Sequence, residues 1–107
     1  MKKHLLILLM ICAASLSALA TNRYVATNGD DANDGLSWAT AKLTITAAIS
    51  ASSAGDNVMI AAGTYPEAIS IKDGVNVLGG YNAATGVRDI DVFQTILDGT
   101  DLGKFST

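Results

Sequence analysis

The chain has 107 residues, half of them hydrophobic, with 7 basic and 10 acidic side chains and a formal net charge of −3. That balance excludes a strongly basic nucleic-acid footprint. One cysteine and one histidine, Cys12 and His4, exclude a disulfide framework, and once a leader is removed they exclude zinc sites and His-based triads too.

The first twenty residues, MKKHLLILLMICAASLSALA, place Lys2 and Lys3 before an apolar run from Leu5 to Ala14 and end on Ala18-Leu19-Ala20. This is the order of a secretory signal peptide, cut after Ala20. The apolar run is shorter than the roughly 20 residues of a spanning helix, so no membrane span is expected after cleavage. Ile11 stands before Cys12 where a lipoprotein signal needs a small side chain. Cleavage leaves 87 residues with Arg23, Lys42, Lys72, Arg88 and Lys104 against all ten acidic side chains, net −5, and no thiol or imidazole. A secreted product is expected, released or held at the cell surface.

RYVAT, Arg23 to Thr27, is rich enough in β-branched and aromatic residues for a strand. NGDDANDG follows, from Asn28 to Gly35. Its candidate calcium ligands are Asp30, Asp31 and Asp34. A hand-type loop with Gly35 as its glycine would place Asp30, Ala32 and Asp34 at positions 1, 3 and 5 and Ala41 at position 12, so two of four ligands are missing. Asx turns explain the same residues, and that reading is favoured over a weak extracellular calcium site.

From Thr40 to Ser53 there is no Gly or Pro, and Ile45, Ala48, Ile49 and Ser52 share one helical face. The β-branched run Thr44-Ile45-Thr46 opposes a helix there. After the turn SAGDN the chain reads as the short strands VMIAAG, AISI, VNVLGGY and TILDG. Val58 and Val75 are 17 residues apart, and Val77 and Leu97 are 20 apart. A recurrence near twenty residues with no helix between the strands is a solenoid signal. Val58, Ile60, Val75, Val77, Ile96 and Leu97 are the expected apolar column, and the helix is expected to cover its first turn. A small α+β or antiparallel β-sandwich domain accommodates the strands but leaves the spacing as coincidence.

The run YVATNGDDANDGLSWATA, then TITAAI, AGDNVMIAAGTYPEAISIKDGVNVLGGYN and TILDG, resembles the N-terminal region of secreted bacterial right-handed parallel β-helix proteins of the pectate-lyase-like superfamily. The resemblance covers Arg23 to Gly99, with Gly55, Asp56, Gly63, Thr64 and Tyr65 on its turn and Gly-Thr-Tyr motifs. Leu43 and Thr46 depart from it. It implies a mostly β fold organised as a signal peptide (1–20), a strand, acidic loop and cap helix (21–57), and the first rungs of a truncated β-helix (58–107). The implied role is structural, or binding of polysaccharide or another cell-surface component. The alternative is the start of a carbohydrate-active enzyme, a polysaccharide lyase or glycoside hydrolase, whose active site lies beyond residue 107.

No catalytic constellation is read within the 107 residues. Asp89 and Asp91 are two apart and invite a paired-carboxylate reading, but a solvated loop fits them better. Trp38 and Tyr81 are the residues suited to stack on a sugar ring, and both also suit packing at a cap or bend. Glu67 and Lys72 read as exposed flanks of a strand.

Overall fold

The computed structural model describes residues 20–99. The signal segment before Ala20 and the tail TDLGKFST after Gly99 lie outside the described residues. The elements in order are β1 (Asn22–Val25), α1 (Ile45–Ala51), β2 (Asn57–Ala61), β3 (Gly63–Tyr65), β4 (Asn76–Tyr81) and β5 (Thr95–Leu97). The described residues are therefore mostly strands with one short helix, and no helix among them is long and apolar enough to cross a membrane.

The helix is shorter than the span expected between Thr40 and Ser53. Thr44 is its N-cap, with extended backbone and a hydroxyl that accepts from Ala47 N at 3.2 Å. The β-branched run thus straddles the cap rather than filling a helix interior, where it would lose side-chain freedom. At the other end Ser52 leaves the helix, its amide donating to the Ile49 carbonyl and its hydroxyl to the Ala48 carbonyl at 2.8 Å. Ile45, Ala48, Ile49 and Ser52 are all buried, as their spacing required.

β1, β2 and β4 form a parallel sheet in that order, and β3 pairs in parallel with β5. Asn22, Asn57 and Asn76 occupy the same register position on the three strands. Their side chains form a ladder: Asn57 Nδ2 donates to Asn22 Oδ1, and Asn76 Nδ2 donates to Asn57 Oδ1, both at 3.0 Å. Asn57 to Asn76 is a 19-residue return. Asn22 to Asn57 takes 35 residues because the acidic loop and α1 intervene, and Gly63 to Thr95 takes 32 because a loop follows β4.

Val25, Ile45, Ala48, Ile49, Val58, Ile60, Tyr65 and Val75 make the core, with Ile69, Val77 and Leu97 packed against it. Ile96, expected in this column, is instead 47 % exposed. Adjacent strand residues point to opposite faces, so Ile96 and Leu97 cannot both face inward, and Leu97 takes the inner position. AISI is not a strand either. Residues 66–72 run beside α1, where there is no strand to complete a ladder.

That strap holds both ends of the helix. Glu67 accepts from Ile45 N, Thr46 N and the Thr46 hydroxyl at 2.9, 3.0 and 2.7 Å, while Lys72 Nζ donates to the Ser50 and Ser52 carbonyls at 3.1 and 2.8 Å. An anion at the N-terminus and a cation at the C-terminus complement the unsatisfied amides and carbonyls of a short helix. Glu67 and Lys72 are therefore fasteners rather than the bare flanks of a strand. Glu67→Ala is expected to destabilise the fold by about 1–2 kcal/mol, since three donors lose a charged acceptor. Urea unfolding of the two proteins measures it.

The work expected of the helix is divided. Its apolar face joins the core, but the outer edge of β1 is covered by the turn that follows the acidic loop: Tyr24 N donates to Gly35 O at 2.7 Å, Lys42 N to Tyr24 O at 2.9 Å and Ala26 N to Lys42 O at 3.0 Å. Blocking strand addition there falls to residues 35–42.

Candidate functional site

The acidic loop is the densest set of polar side chains described. Its three aspartates serve three separate tasks. Asp30 Oδ1 accepts from Ala32 N at 2.9 Å, and Asp34 Oδ1 accepts from Leu36 N at 2.9 Å and from the Thr40 hydroxyl at 2.8 Å. These are the Asx turns that the sequence favoured. Asp31 reaches further, to Leu43 N and Thr44 N at 2.9 and 2.8 Å and to the Thr44 hydroxyl at 2.9 Å. It ties the loop to the cap of α1.

Lys42 supplies the positive charge within the loop. Its Nζ donates to the carbonyls of Asn33 at 2.7 Å and Asp31 at 3.1 Å, and Arg23 Nη1 donates to the Asp34 carbonyl at 3.0 Å. Carbonyls that would serve a hard cation are thus engaged by side-chain nitrogen. Two glycines let the chain close so tightly. A Cβ on Gly29 would stand 2.4 Å from the Lys42 carbonyl oxygen, and Gly35 has φ of 73°. Close approach demands glycine at the first, and the left-handed backbone demands it at the second.

Desolvation pushes the Asp31 pKa up, but the Thr44 amide and hydroxyl, the Leu43 amide and the Lys42 charge outweigh it and hold the carboxyl below its ordinary value. Asp34 is lowered by the Leu36 amide first, then by the Thr40 hydroxyl. Both carboxylates are held ionised by bonds the fold itself makes. Among the described residues no three His, Cys, Asp or Glu side chains are grouped to hold a metal ion. Calcium titration by calorimetry is expected to show no site tighter than about millimolar, the weak end for extracellular modules. A micromolar site lost in Asp31→Ala would contradict this account of the loop.

Trp38 and Tyr81, the residues suited to sugar stacking, come together, though they are far apart in sequence. The indole lies edge-on to Tyr24 at 4.7 Å between centroids and tilted against Tyr81 at 5.7 Å. The Arg88 guanidinium sits 5.9 Å from the Tyr81 ring centre, and its Nε donates to the Gly79 carbonyl at 2.7 Å. Tyr81 is buried and Trp38 half-buried over the small cluster Ala26, Ala41 and Ala61. Beside them runs an open groove of about 400 Å³ whose lining includes Asn28, Ala61, Tyr81, Asn82 and Phe93. Asp89 and Asp91 lie outside it, and Asp89 Oδ1 accepts from the Asp91 amide at 3.0 Å, closing a turn.

Several residues that matter here were not singled out from sequence as a set. Asn22, Asn57 and Asn76 carry a readable signal, an asparagine at or beside the start of three apolar strands. The roles of Lys42, Glu67 and Phe93 follow from packing and leave no local pattern. A family model described as a protein of unknown function (DUF1565) matches residues 27–101. No curated protein and no solved structure matches the chain.

Proposed function

The chain belongs to the DUF1565 family, which is associated with β-helix proteins, and from that premise we propose that it is the exported N-terminal cap and first coils of a right-handed parallel β-helix. Its function is structural: it starts the stack and fixes the register on which later coils build. The observation that carries this reading is the asymmetry of the two sheet ends. The β1 edge is bonded along Tyr24 to Ala26 by residues 35–42, whereas no strand among the described residues pairs with the outer edge of β5 or with Asn76 to Leu78 of β4. Coverage at one end and a template at the other suit a starting unit in a repeat protein. Export rests on the leader pattern of residues 1–20.

The test is a graft. Residues 21–99 are fused in register to a β-helix whose own first coil has been deleted. Restored cooperative melting supports the capping role; a fusion as unstable as the deletion mutant overturns it.

The groove beside Tyr81 favours a second reading, that this end also contacts polysaccharide. Phe93 offers a partly exposed ring, and Asn28 and Asn82 offer side-chain amides at the same lip. Retention on insoluble polysaccharides, lost in Phe93→Ala, supports it; equal retention of both proteins overturns it. An enzymatic role would need a constellation from coils beyond residue 107. Uronate-specific chain cleavage by the whole gene product, with clustered aspartates and a basic residue on those coils, would identify a lyase.

A further inference from the structure

Asp56 is one of two buried polar side chains among the described residues, at 8 % exposed, and it sits where the fold takes hold of the chain. Its Oδ1 accepts from Thr21 N at 2.9 Å, and its Oδ2 accepts from Ser53 N at 2.9 Å. The Thr21 carbonyl in turn accepts from Asn57 N at 2.9 Å, one step before the Asn22 and Asn57 register pair. Ala20 is exposed, and Thr21 is half-buried. Among the described residues, the first gripped by the core is therefore the one that follows Ala18-Leu19-Ala20, and its nitrogen already points at a buried carboxylate.

We infer that Asp56 is the receptor for the α-ammonium formed at Thr21 when the Ala20–Thr21 peptide bond is hydrolysed. One water adds across that bond: its hydroxyl goes to the Ala20 carbonyl carbon, leaving a carboxylate on the departing leader. The Thr21 nitrogen keeps the electrons of the broken bond and takes up protons to become an ammonium. No oxidant or reductant is involved. The site's ligand is thus the protein's own primary amine. The inference rests on the export reading proposed above.

Cleavage converts a neutral amide donor into a charged one without moving it. The amide already donates to an ionised acceptor, and cleavage adds the attraction of a full positive charge to that bond, so processing fastens the edge of the fold instead of fraying it. The other charged groups on surrounding elements are Arg23 on β1 and Lys72, whose Nζ is already engaged by the Ser50 and Ser52 carbonyls. The Arg23 charge favours the ionised Asp56. The Ser53 and Thr21 amides outweigh desolvation and hold the Asp56 pKa below its ordinary 3.8. Its stabilisation is present above that value and is lost as pH falls through the lowered one. An amine paired with a carboxylate has a raised pKa, so its contribution is complete below the ordinary value of about 8 and is lost as pH rises through the raised one. The ion pair therefore acts between about pH 4 and 8.

The experiment expresses the full 107-residue chain, recovers the exported product, sequences its N-terminus and titrates its α-amino group by pH-dependent acylation. Expected are a Thr21 start and an α-amino pKa about one unit above the ordinary 8, a tenfold gain in proton affinity that is absent in Asp56→Asn. If that variant does not fold, N-acetylation of the wild type keeps the N–H and removes the charge. It should lower the melting temperature at pH 6 and leave it unchanged at pH 10. A product that begins at Thr21 with an ordinary amine pKa overturns the receptor role and leaves processing intact. A product that begins elsewhere overturns the processing reading and the inference with it.

Discussion

Tyr65→Ala is expected to lower the free energy of unfolding by about 3–5 kcal/mol, the range for truncating a large aromatic in a packed core. Tyr65 is 2 % exposed and is among the largest fully buried side chains described. It closes β3, packs in the cluster with Ile45, Val58 and Val75, and donates its hydroxyl to the Ala61 carbonyl at 2.9 Å. The ring therefore bridges the helix and the strand sheets. Burial first, and the Glu67 charge second, push the phenol up to about 12, so it stays a neutral donor throughout the physiological range. Tyr65→Phe keeps the ring and loses only the hydroxyl, which should cost about 0.5–1.5 kcal/mol. Urea titration of the three proteins separates the two contributions. A Tyr65→Ala cost below about 1 kcal/mol would mean that the neighbours collapse into the space and the ring is not the wedge described.

The second large effect concerns the open end, where the protein is expected to self-associate as its concentration rises. Val87, Ile90 and Val92 are each more than half exposed, and Ile96 on β5 is nearly so. They lie around the strand edges that lack a partner among the described residues. Part of the β4 edge is covered by its own loop, since Asn82 N donates to Val87 O at 2.8 Å and Asp89 N to Gly80 O at 2.9 Å. Asn76 to Leu78 and β5 have no such cover from described chain, and bare parallel edges recruit other chains. Ile96→Lys places a charge on that edge without touching the core. It should shift the association midpoint at least about tenfold toward higher concentration, equivalent to about 1.4 kcal/mol, as read by sedimentation velocity. Equal midpoints, or a wild type that stays monomeric up to millimolar, would show that the end is already closed.

What the sequence made legible was set by periodicity and turn chemistry. The buried face of α1 and the turn role of Asp30 and Asp34 were readable, because each depends on local spacing; of the two spacings near twenty, neither is a register pair, since Val58 pairs with Val77, 19 residues on, and Leu97 pairs with Tyr65, 32 residues back. AISI misled because its composition suits a strand, while strand formation needs a partner and the neighbouring element there is a helix. Ile96 misled because two adjacent apolar residues were assigned to one face. The Gly29 approach to Lys42 and the clamping of α1 by Glu67 and Lys72 join residues 13 to 22 positions apart. No window short enough to show periodicity contains them. Trp38 and Tyr81 were readable as notable aromatics, but their contact, and the Phe93 groove beside it, required the chain to return.

The parallel register is the claim on which everything else rests, and paired cysteines test it most directly. In a Cys12→Ser background, Asn57→Cys with Asn76→Cys places two thiols on facing residues of neighbouring parallel strands, on the same side of the sheet. Asn57→Cys with Val77→Cys is offset by one residue and puts them on opposite sides. Under mild oxidation the first pair is expected to form an intramolecular disulfide nearly quantitatively and the second hardly at all, as read from the mass of the alkylated products. Crosslinking of both pairs alike, or of neither, would contradict stacked parallel coils and favour a small domain in which β2 and β4 are not in-register neighbours.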